Sequence, residues 1–147
     1  MPPYGGLPVS ADRPLTRAEA VGLARSYVAA YNDRDLSAML ALQHEDVVSH
    51  PSRLFEPRQL NGRAGVRAWW EAMEASGRWY DVVVRDVRQI GPDRIAILGE
   101  IRDRGELLSP WGVVIRVRGG LIIESHFYLS DTELLTDLGV LGEPWAG

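Results

Sequence analysis

Residues 79–129 read WYDVVVRDVRQIGPDRIAILGEIRDRGELLSPWGVVIRVRGGLIIESHFYL, and this stretch decides the fold. Its apolar residues recur with a period of two and are rich in Val and Ile, a pattern typical of half-buried β-strands. The pattern predicts four strands, around residues 82–87, 95–101, 111–117 and 121–129. Short turns that contain Gly separate them, at 91–93, 105–106 and 119–120. We therefore expect a four-stranded antiparallel meander.

Alternation in the last of these strands divides its side chains between the two faces of the sheet. We expect one set to face inward: Leu121, Ile123, Ser125, Phe127 and Leu129. We expect the other set to face outward: Ile122, Glu124, His126 and Tyr128. His126 is accordingly predicted to lie at the surface or in a dimer interface.

The N-terminal part of the chain has the period and the caps of helices. Thr16-Arg17-Ala18-Glu19 has the S/T-x-x-E form of a capping box, and apolar residues follow at three- and four-residue spacing as far as Tyr31. Asp35 is predicted to cap a second, short helix. A brief strand at 46–50 should then stop at Pro51, with a loop over 51–60.

A third helix is predicted to begin at Asn61 or Gly62 and to end at Gly77. Its apolar stripe is Val66, Trp69, Trp70 and Met73. A second capping box, Ser130 to Glu133, predicts a short C-terminal helix. We therefore predict one α+β domain over residues 15–141, between a flexible N-terminal tail at 1–14 and a C-terminal tail at 142–147.

Composition limits the function classes. The formal net charge is −4, which argues against a nucleic-acid partner. The chain has no Cys, so thiol catalysis, disulfides and thiolate metal sites are excluded. The first 14 residues have neither a basic start nor an apolar run, so no signal peptide or membrane partner is expected, and a cytoplasmic location is predicted.

Four local motifs resemble those of SnoaL-like proteins and ketosteroid isomerases, in the nuclear-transport-factor-2-like superfamily. The run 27–36, YVAAYNDRDL, is similar to their first-helix signature, and 46–51, DVVSHP, to their D-x-x-x-x-P strand. The stretch 61–70 is similar to the start of their third helix, and 119–122 to their D-G-K-I turn. The resemblance implies a cone-shaped α+β barrel, in which three N-terminal helices pack on a curved, mostly antiparallel sheet around an apolar pocket. It also implies a homodimer formed through the outer sheet face.

The same resemblance implies two catalytic residues. His50 stands where the isomerases have their proton-abstracting Asp, and imidazole is a competent base at neutral pH. Tyr27 stands where they have the Tyr that donates a hydrogen bond to the oxyanion. Their second oxyanion residue, an Asp, is replaced by Val113, so steroid-type isomerisation is disfavoured. A structural role for both residues within the core stays open as the alternative.

Further residues are expected to line the pocket and bind a ligand: Tyr31, Trp69, Trp70, Trp111, Val113, Ser125 and Phe127. The alternative is that the aromatic residues among them are core packing. The Asp-Arg-Asp arrangement of limonene epoxide hydrolases is not matched, because the chain offers Glu100 and Arg102 but has Phe127 at the third position. We interpret Glu100 and Arg102 as a solvated ion pair, and the sequence does not decide which face of the sheet they occupy.

Two function hypotheses follow. The first is an isomerase, cyclase or dehydratase that acts by proton transfer on a hydrophobic cyclic metabolite, without a cofactor. The second is a non-catalytic ligand-binding or dimerisation module. No metal cluster is expected from the three histidines, His44, His50 and His126. If His50 and Tyr27 converge in one hollow, the enzyme hypothesis gains; if the interior is apolar and closed, the binding module gains.

Overall fold

The computed structural model describes residues 13–51, 59–77 and 79–129 of the 147-residue chain. It contains three helices, α1 Arg17–Asn32, α2 Leu36–Ala41 and α3 Gly62–Ser76. It contains six strands, β1 Gln43–His50, β2 Leu60–Asn61, β3 Asp81–Gly91, β4 Arg94–Asp103, β5 Glu106–Arg118 and β6 Leu121–Tyr128. The predicted C-terminal helix, the C-terminal tail and all but the last two residues of the predicted N-terminal tail lie outside the described residues.

The first two helices begin where the capping residues predicted. The Thr16 hydroxyl accepts a hydrogen bond from the Glu19 N–H at 3.1 Å, and the Glu19 carboxylate accepts one from the Thr16 N–H at 2.9 Å. Asp35 caps α2 by accepting from the Ala38 N–H at 3.0 Å. These side chains satisfy N–H groups that have no partner within the helix, so both helix starts are encoded locally.

Helix α3 also has the predicted bounds. It ends at Gly77, whose φ of 69° lies in the left-handed region that favours glycine. Val66 and Trp70 are its buried residues. Arg63 fastens the helix to β1, because its Nε and Nη2 donate to the Gln43 backbone oxygen at 3.0 and 2.8 Å.

The strands form one six-stranded sheet in the order β2-β1-β6-β5-β4-β3. The meander from β3 to β6 is antiparallel, as predicted. The pair β1 and β6 is parallel, with Ser49 beside Ser125 and His50 beside His126. The loop predicted up to Leu60 is wrong at its end, because Leu60 and Asn61 pair with β1 as the short strand β2.

The main core lies between the helices and one face of the sheet, which we call the inner face. Helix α1 packs on β3 and β4, and α3 packs on β1 and β2. The fully buried strand residues of this core include Val47, Ile95, Ile97, Val113 and Ile115. Ala96, Val114 and Tyr128 form a smaller apolar cluster on the opposite, outer face.

The facing predicted for β6 is correct in its second half and wrong in its first half. Ser125 pairs with Ile115 and Phe127 with Val113, which places both on the inner face as predicted. The register then shifts, because Glu124 pairs with Arg116 but Ile122 pairs with Val117. This irregularity brings Ile122 into the main core, fully buried, whereas strict alternation put it outside.

None of the helices within the described ranges is long and apolar enough to cross a membrane.

Candidate ligand-binding site

A hollow lies between the helices and the inner face, where β1 and β6 run side by side. Its cavity volume is about 40 Å³, and the wider space of about 440 Å³ among its lining residues includes open solvent at the mouth. Five aromatic residues contribute to its wall: Tyr27, Tyr31, Trp69, Trp70 and Phe127. The space is therefore narrow and suits a small or slender ligand.

Phe127 is the centre of the aromatic wall. Its ring centroid lies 6.4 Å from that of Tyr27 and 6.4 Å from that of Trp69, with interplanar angles of 29° and 18°. Near-parallel rings at this separation have the offset geometry that aromatic pairs prefer. The three rings therefore form one packed aromatic cluster along the wall of the hollow.

The polar groups of the hollow are few and buried. Ser125 and Ser49, facing each other across the β1–β6 pair, share one hydrogen bond of 3.3 Å between their hydroxyl oxygens. Gln43 is only 3% exposed, and its Nε2 donates to the Met39 sulfur at 3.3 Å. Its Oε1 has no hydrogen-bond partner among the described residues. Because a thioether can only accept, the sulfur fixes the amide with its nitrogen towards Met39 and leaves the oxygen unpaired.

The two tyrosines are hydrogen-bond donors at neutral pH. Burial raises the pKa of Tyr27 far above its usual value, and the neighbouring Tyr31 raises it further. Burial raises the pKa of Tyr31 to about 12, against the lowering effect of Arg34. Both phenols stay protonated, so each could donate to a ligand oxygen and neither serves as a base.

Five of the seven predicted ligand-binding residues line the hollow: Tyr31, Trp69, Trp70, Ser125 and Phe127. The other two do not. Trp111 and Val113 belong to the main core, where Val113 is fully buried beside its strand partner Phe127 and the Trp111 ring centroid lies 6.4 Å from that of Phe127. Neither residue lines the hollow, because the side chains of both are packed into the main core.

The predicted convergence of His50 and Tyr27 is also wrong. Tyr27 lines the hollow, and so do Ser49 and Pro51, the neighbours of His50 in the chain. His50 itself lies on the outer face, where its ring stacks on that of His126 at 4.1 Å with an interplanar angle of 9°. Alternation along β1 is the reason, since Val47 and Ser49 point inward and His50 must point outward.

His50, Glu124 and His126 form a cluster on the outer face, which we call the His-Glu-His cluster. Both imidazole Nε2 atoms approach the same oxygen, Oε2 of Glu124, at 3.4 Å from His50 and 3.2 Å from His126. The other oxygen of Glu124 lies 3.6 Å from Nη1 of Arg116. The sequence did not predict this grouping of metal-ligand type, which the parallel β1–β6 pair creates by bringing two of the three histidines together.

Charges in this cluster shift two pKa values. Burial lowers the pKa of His50, and His126 lowers it further, against the raising effect of Glu124. Burial alone would raise the pKa of Glu124, but the hydrogen bond with His126 and the charges of His126, Arg116 and His50 outweigh burial, so the pKa is lowered. At neutral pH the cluster therefore holds a carboxylate beside a neutral His50 imidazole.

Glu100 and Arg102 form the predicted ion pair, with Nη2 of Arg102 at 2.8 Å from the Glu100 carboxylate. Gly99 pairs with Trp111, whose side chain belongs to the inner face, and the next pair along the strands is Glu100 with Pro110. Because successive residues alternate between the faces, Glu100 projects from the outer face. Neither residue lines the hollow.

Sequence reasoning missed Ser49 and Gln43. The alternation of Val47 with Ser49 was a usable signal for Ser49, because two buried strand positions two residues apart share a face. Gln43 gave no signal, since β1 was predicted to begin three residues later and a lone Gln reads as a surface residue.

Comparisons with known proteins agree with this architecture. The model of the SnoaL-like domain family matches residues 24–125. No curated protein sequence matches the chain.

Among solved structures, a SnoaL-like protein of unknown function from Burkholderia thailandensis is 19% identical with a TM-score of 0.68, over 80% of this chain and 98% of that one. A candidate polyketide cyclase from Xanthomonas campestris is 25% identical with a TM-score of 0.62, over 83% and 98%. A protein with a ketosteroid isomerase-like fold from Catenulispora acidiphila, in complex with trimethylamine, is 19% identical with a TM-score of 0.59, over 80% and 92%. Since the family model covers most of the chain and runs from α1 to β6, the protein belongs to the SnoaL-like domain family.

Proposed function

We propose that this protein binds a small, largely apolar molecule in the hollow and holds its one polar group by hydrogen bonds. The observation that carries the proposal is the buried Gln43 amide, whose oxygen has no partner among the described residues although it belongs to the wall of a mostly apolar space. An unpaired buried polar group costs about 1 to 3 kcal/mol, so it calls for a compensating role.

A ligand hydroxyl would meet complementary groups here. It can donate to Gln43 Oε1 and accept from a phenol or a serine hydroxyl, and both types of donor line the hollow. The present contact of the Gln43 amide with Met39 is a weak N–H···S bond that uses only the amide nitrogen, so the Oε1 atom is left for a ligand donor. The aromatic wall would cover the apolar body of the ligand.

The lining also bears on catalysis. Among the described residues that line the hollow there is no carboxylate and no imidazole, and both tyrosines are held protonated. General-base catalysis needs such a group within hydrogen-bond reach of the substrate. The described wall therefore supports binding better than it supports proton abstraction.

Binding can be tested by calorimetric titration with 4-ethylphenol and with ethylbenzene, which differ by one hydroxyl. We expect 4-ethylphenol to bind about 2- to 12-fold more tightly, the range of one net hydrogen bond of 0.5 to 1.5 kcal/mol. In Gln43→Met the preference should disappear. In the matched variant Gln89→Met, whose side chain lies outside the hollow, it should persist. If neither compound binds, or the preference survives in Gln43→Met, the proposal fails.

A second candidate is a proton-transfer reaction such as cyclisation, and it is favoured by the name of the Xanthomonas campestris relative. A discriminating assay follows the exchange of the α-protons of 2-tetralone in D₂O by NMR. If the protein only binds, the exchange rate stays at that of the buffer. Acceleration above the buffer rate would favour the second candidate, and because His50 faces away from the hollow, His50→Gln should then leave the acceleration unchanged.

A further inference from the structure

The outer face carries a second group of residues with chemistry of its own, separated from the hollow by the thickness of the sheet. The His-Glu-His cluster draws two residues from β6 and one from β1. His50 and His126 are direct neighbours in the parallel pair, and Glu124 stands two residues before His126 on the same face. The backbone hydrogen bonds of the sheet therefore fix the spacing of all three side chains.

We propose that His50, Glu124 and His126 form a binding site for a divalent transition-metal ion of the Zn²⁺ type. The proposal is independent of the ligand-binding function proposed above.

The distances in the cluster fit such an ion. One ligand atom from each of the three residues can be chosen so that all three lie within 4.8 Å of one another. Zn²⁺ bonds to imidazole nitrogen at about 2.0 to 2.1 Å and to carboxylate oxygen at about 2.0 to 2.2 Å, so two tetrahedral ligands lie roughly 3.3 to 3.5 Å apart. The two observed N···O distances, 3.2 and 3.4 Å, are already close to that range.

The remaining adjustment is small and local. The two imidazole rings are nearly parallel, so they must tilt towards each other to aim both Nε2 atoms at a single ion. The side chains of His50 and His126 are 31% and 37% exposed, which leaves room for rotation about their side-chain bonds.

The choice of metal follows from the donor atoms. Imidazole nitrogen suits Zn²⁺ and its neighbours in the first transition row, whereas Ca²⁺ and Mg²⁺ prefer sites made of oxygen atoms alone. Arg116 contacts the other oxygen of Glu124, as outer partners of metal-binding carboxylates commonly do, and so keeps Oε2 turned towards the histidines. Three protein ligands leave a fourth tetrahedral position for water or an anion.

The test is a calorimetric titration of the full chain, prepared without a polyhistidine tag, with ZnCl₂ at pH 7.5. We expect one ion per chain. His126→Gln and Glu124→Gln should each weaken Zn²⁺ binding at least about 100-fold. Loss of an outer-sphere partner costs up to about 100-fold in metal affinity, and loss of a direct ligand should cost no less. His44→Gln is the matched control, because the His44 side chain is 30% exposed and lies outside the cluster, and it should leave the affinity unchanged.

Thermal unfolding supplies a second readout that does not depend on the calorimetric signal. Zn²⁺ should raise the unfolding temperature of the wild-type chain and of His44→Gln, since an ion that binds only the folded state stabilises it, and should not raise that of Glu124→Gln. Unfolding curves without metal establish that each variant is folded. The proposal is overturned if the wild-type chain takes up no Zn²⁺, or if His126→Gln and Glu124→Gln bind it as tightly as His44→Gln.

Discussion

Replacing Gln43 by Met should make the empty protein more stable, although most substitutions of buried residues do the opposite. Met has nearly the length of Gln and no polar amide, so it fills the same space beside Met39. The change removes one weak N–H···S contact and one amide oxygen that has no partner among the described residues. The backbone oxygen of Gln43 keeps its two hydrogen bonds from Arg63, so the attachment of α3 is preserved.

The size of the effect follows from the desolvation of the amide oxygen. Leaving such a group unpaired costs about 1 to 3 kcal/mol, and the lost N–H···S contact returns only a small part of that. We therefore expect the free energy of unfolding to rise by about 1 kcal/mol or more. For a chain of this length that corresponds to roughly 2 to 4 °C in unfolding temperature per kcal/mol.

The assay is urea unfolding followed by tryptophan fluorescence, with the slope m compared between variants. Gln89→Met is the matched control, because the Gln89 amide donates to the backbone oxygens of Leu15 and Gly91 at 2.8 and 3.3 Å. Losing those bonds should destabilise the chain by about 0.5 to 1.5 kcal/mol, the opposite sign. If Gln43→Met is less stable than the wild type at unchanged m, the Gln43 oxygen has a partner in solution and the reasoning is refuted.

Three further predictions concern the sheet, the first helix and the outer face. Gly99→Ala should lower the free energy of unfolding in urea by about 1 to 3 kcal/mol, because the added Cβ would lie 2.2 Å from the Val83 carbonyl oxygen. The control Gly22→Ala, on the exposed side of α1, adds a Cβ that has no atom within 4 Å, and it should stabilise the protein. Thr16→Ala should cost about 1 kcal/mol through loss of the N-cap, and Thr16→Ser should cost little; an equal loss in both would contradict a capping role. The lowered pKa of His50 means that the folded state binds a proton on this imidazole more weakly than the unfolded chain does. The free energy of unfolding should therefore fall as the pH decreases below about 6.5. Between about pH 7 and about pH 5 this loss of stability should be smaller in His50→Gln than in His44→Gln.

Most secondary-structure elements could be predicted because their signals are local. A capping residue and the N–H groups that it satisfies lie within four residues of each other, which is why Thr16, Asp35 and Gly77 mark helix ends that the structure confirms. The meander could also be predicted from the sequence, because each antiparallel strand follows its partner after a short turn. The predicted pairing of two copies through the outer face has no such local signal and stays a prediction.

The candidate site and the facing of β6 were predicted only in part. Ser125 and Phe127 were placed correctly because regular alternation holds for that half of β6. Ile122 was misplaced because one irregularity in the register reverses every facing beyond it, and the sequence does not mark where the irregularity falls.

The sequence by itself determined most of the elements, their order and the membership of the family, because caps, turns and periodicity act over a few residues. Only the tertiary structure decided which face of β1 meets the helices and that β1 lies parallel to β6. Alternation fixes the facing of neighbouring residues relative to each other, whereas the absolute facing depends on a partner strand more than 70 residues away in the chain. That long-range pairing turns Ser49 towards the hollow and sets His50 against His126 on the other side of the sheet.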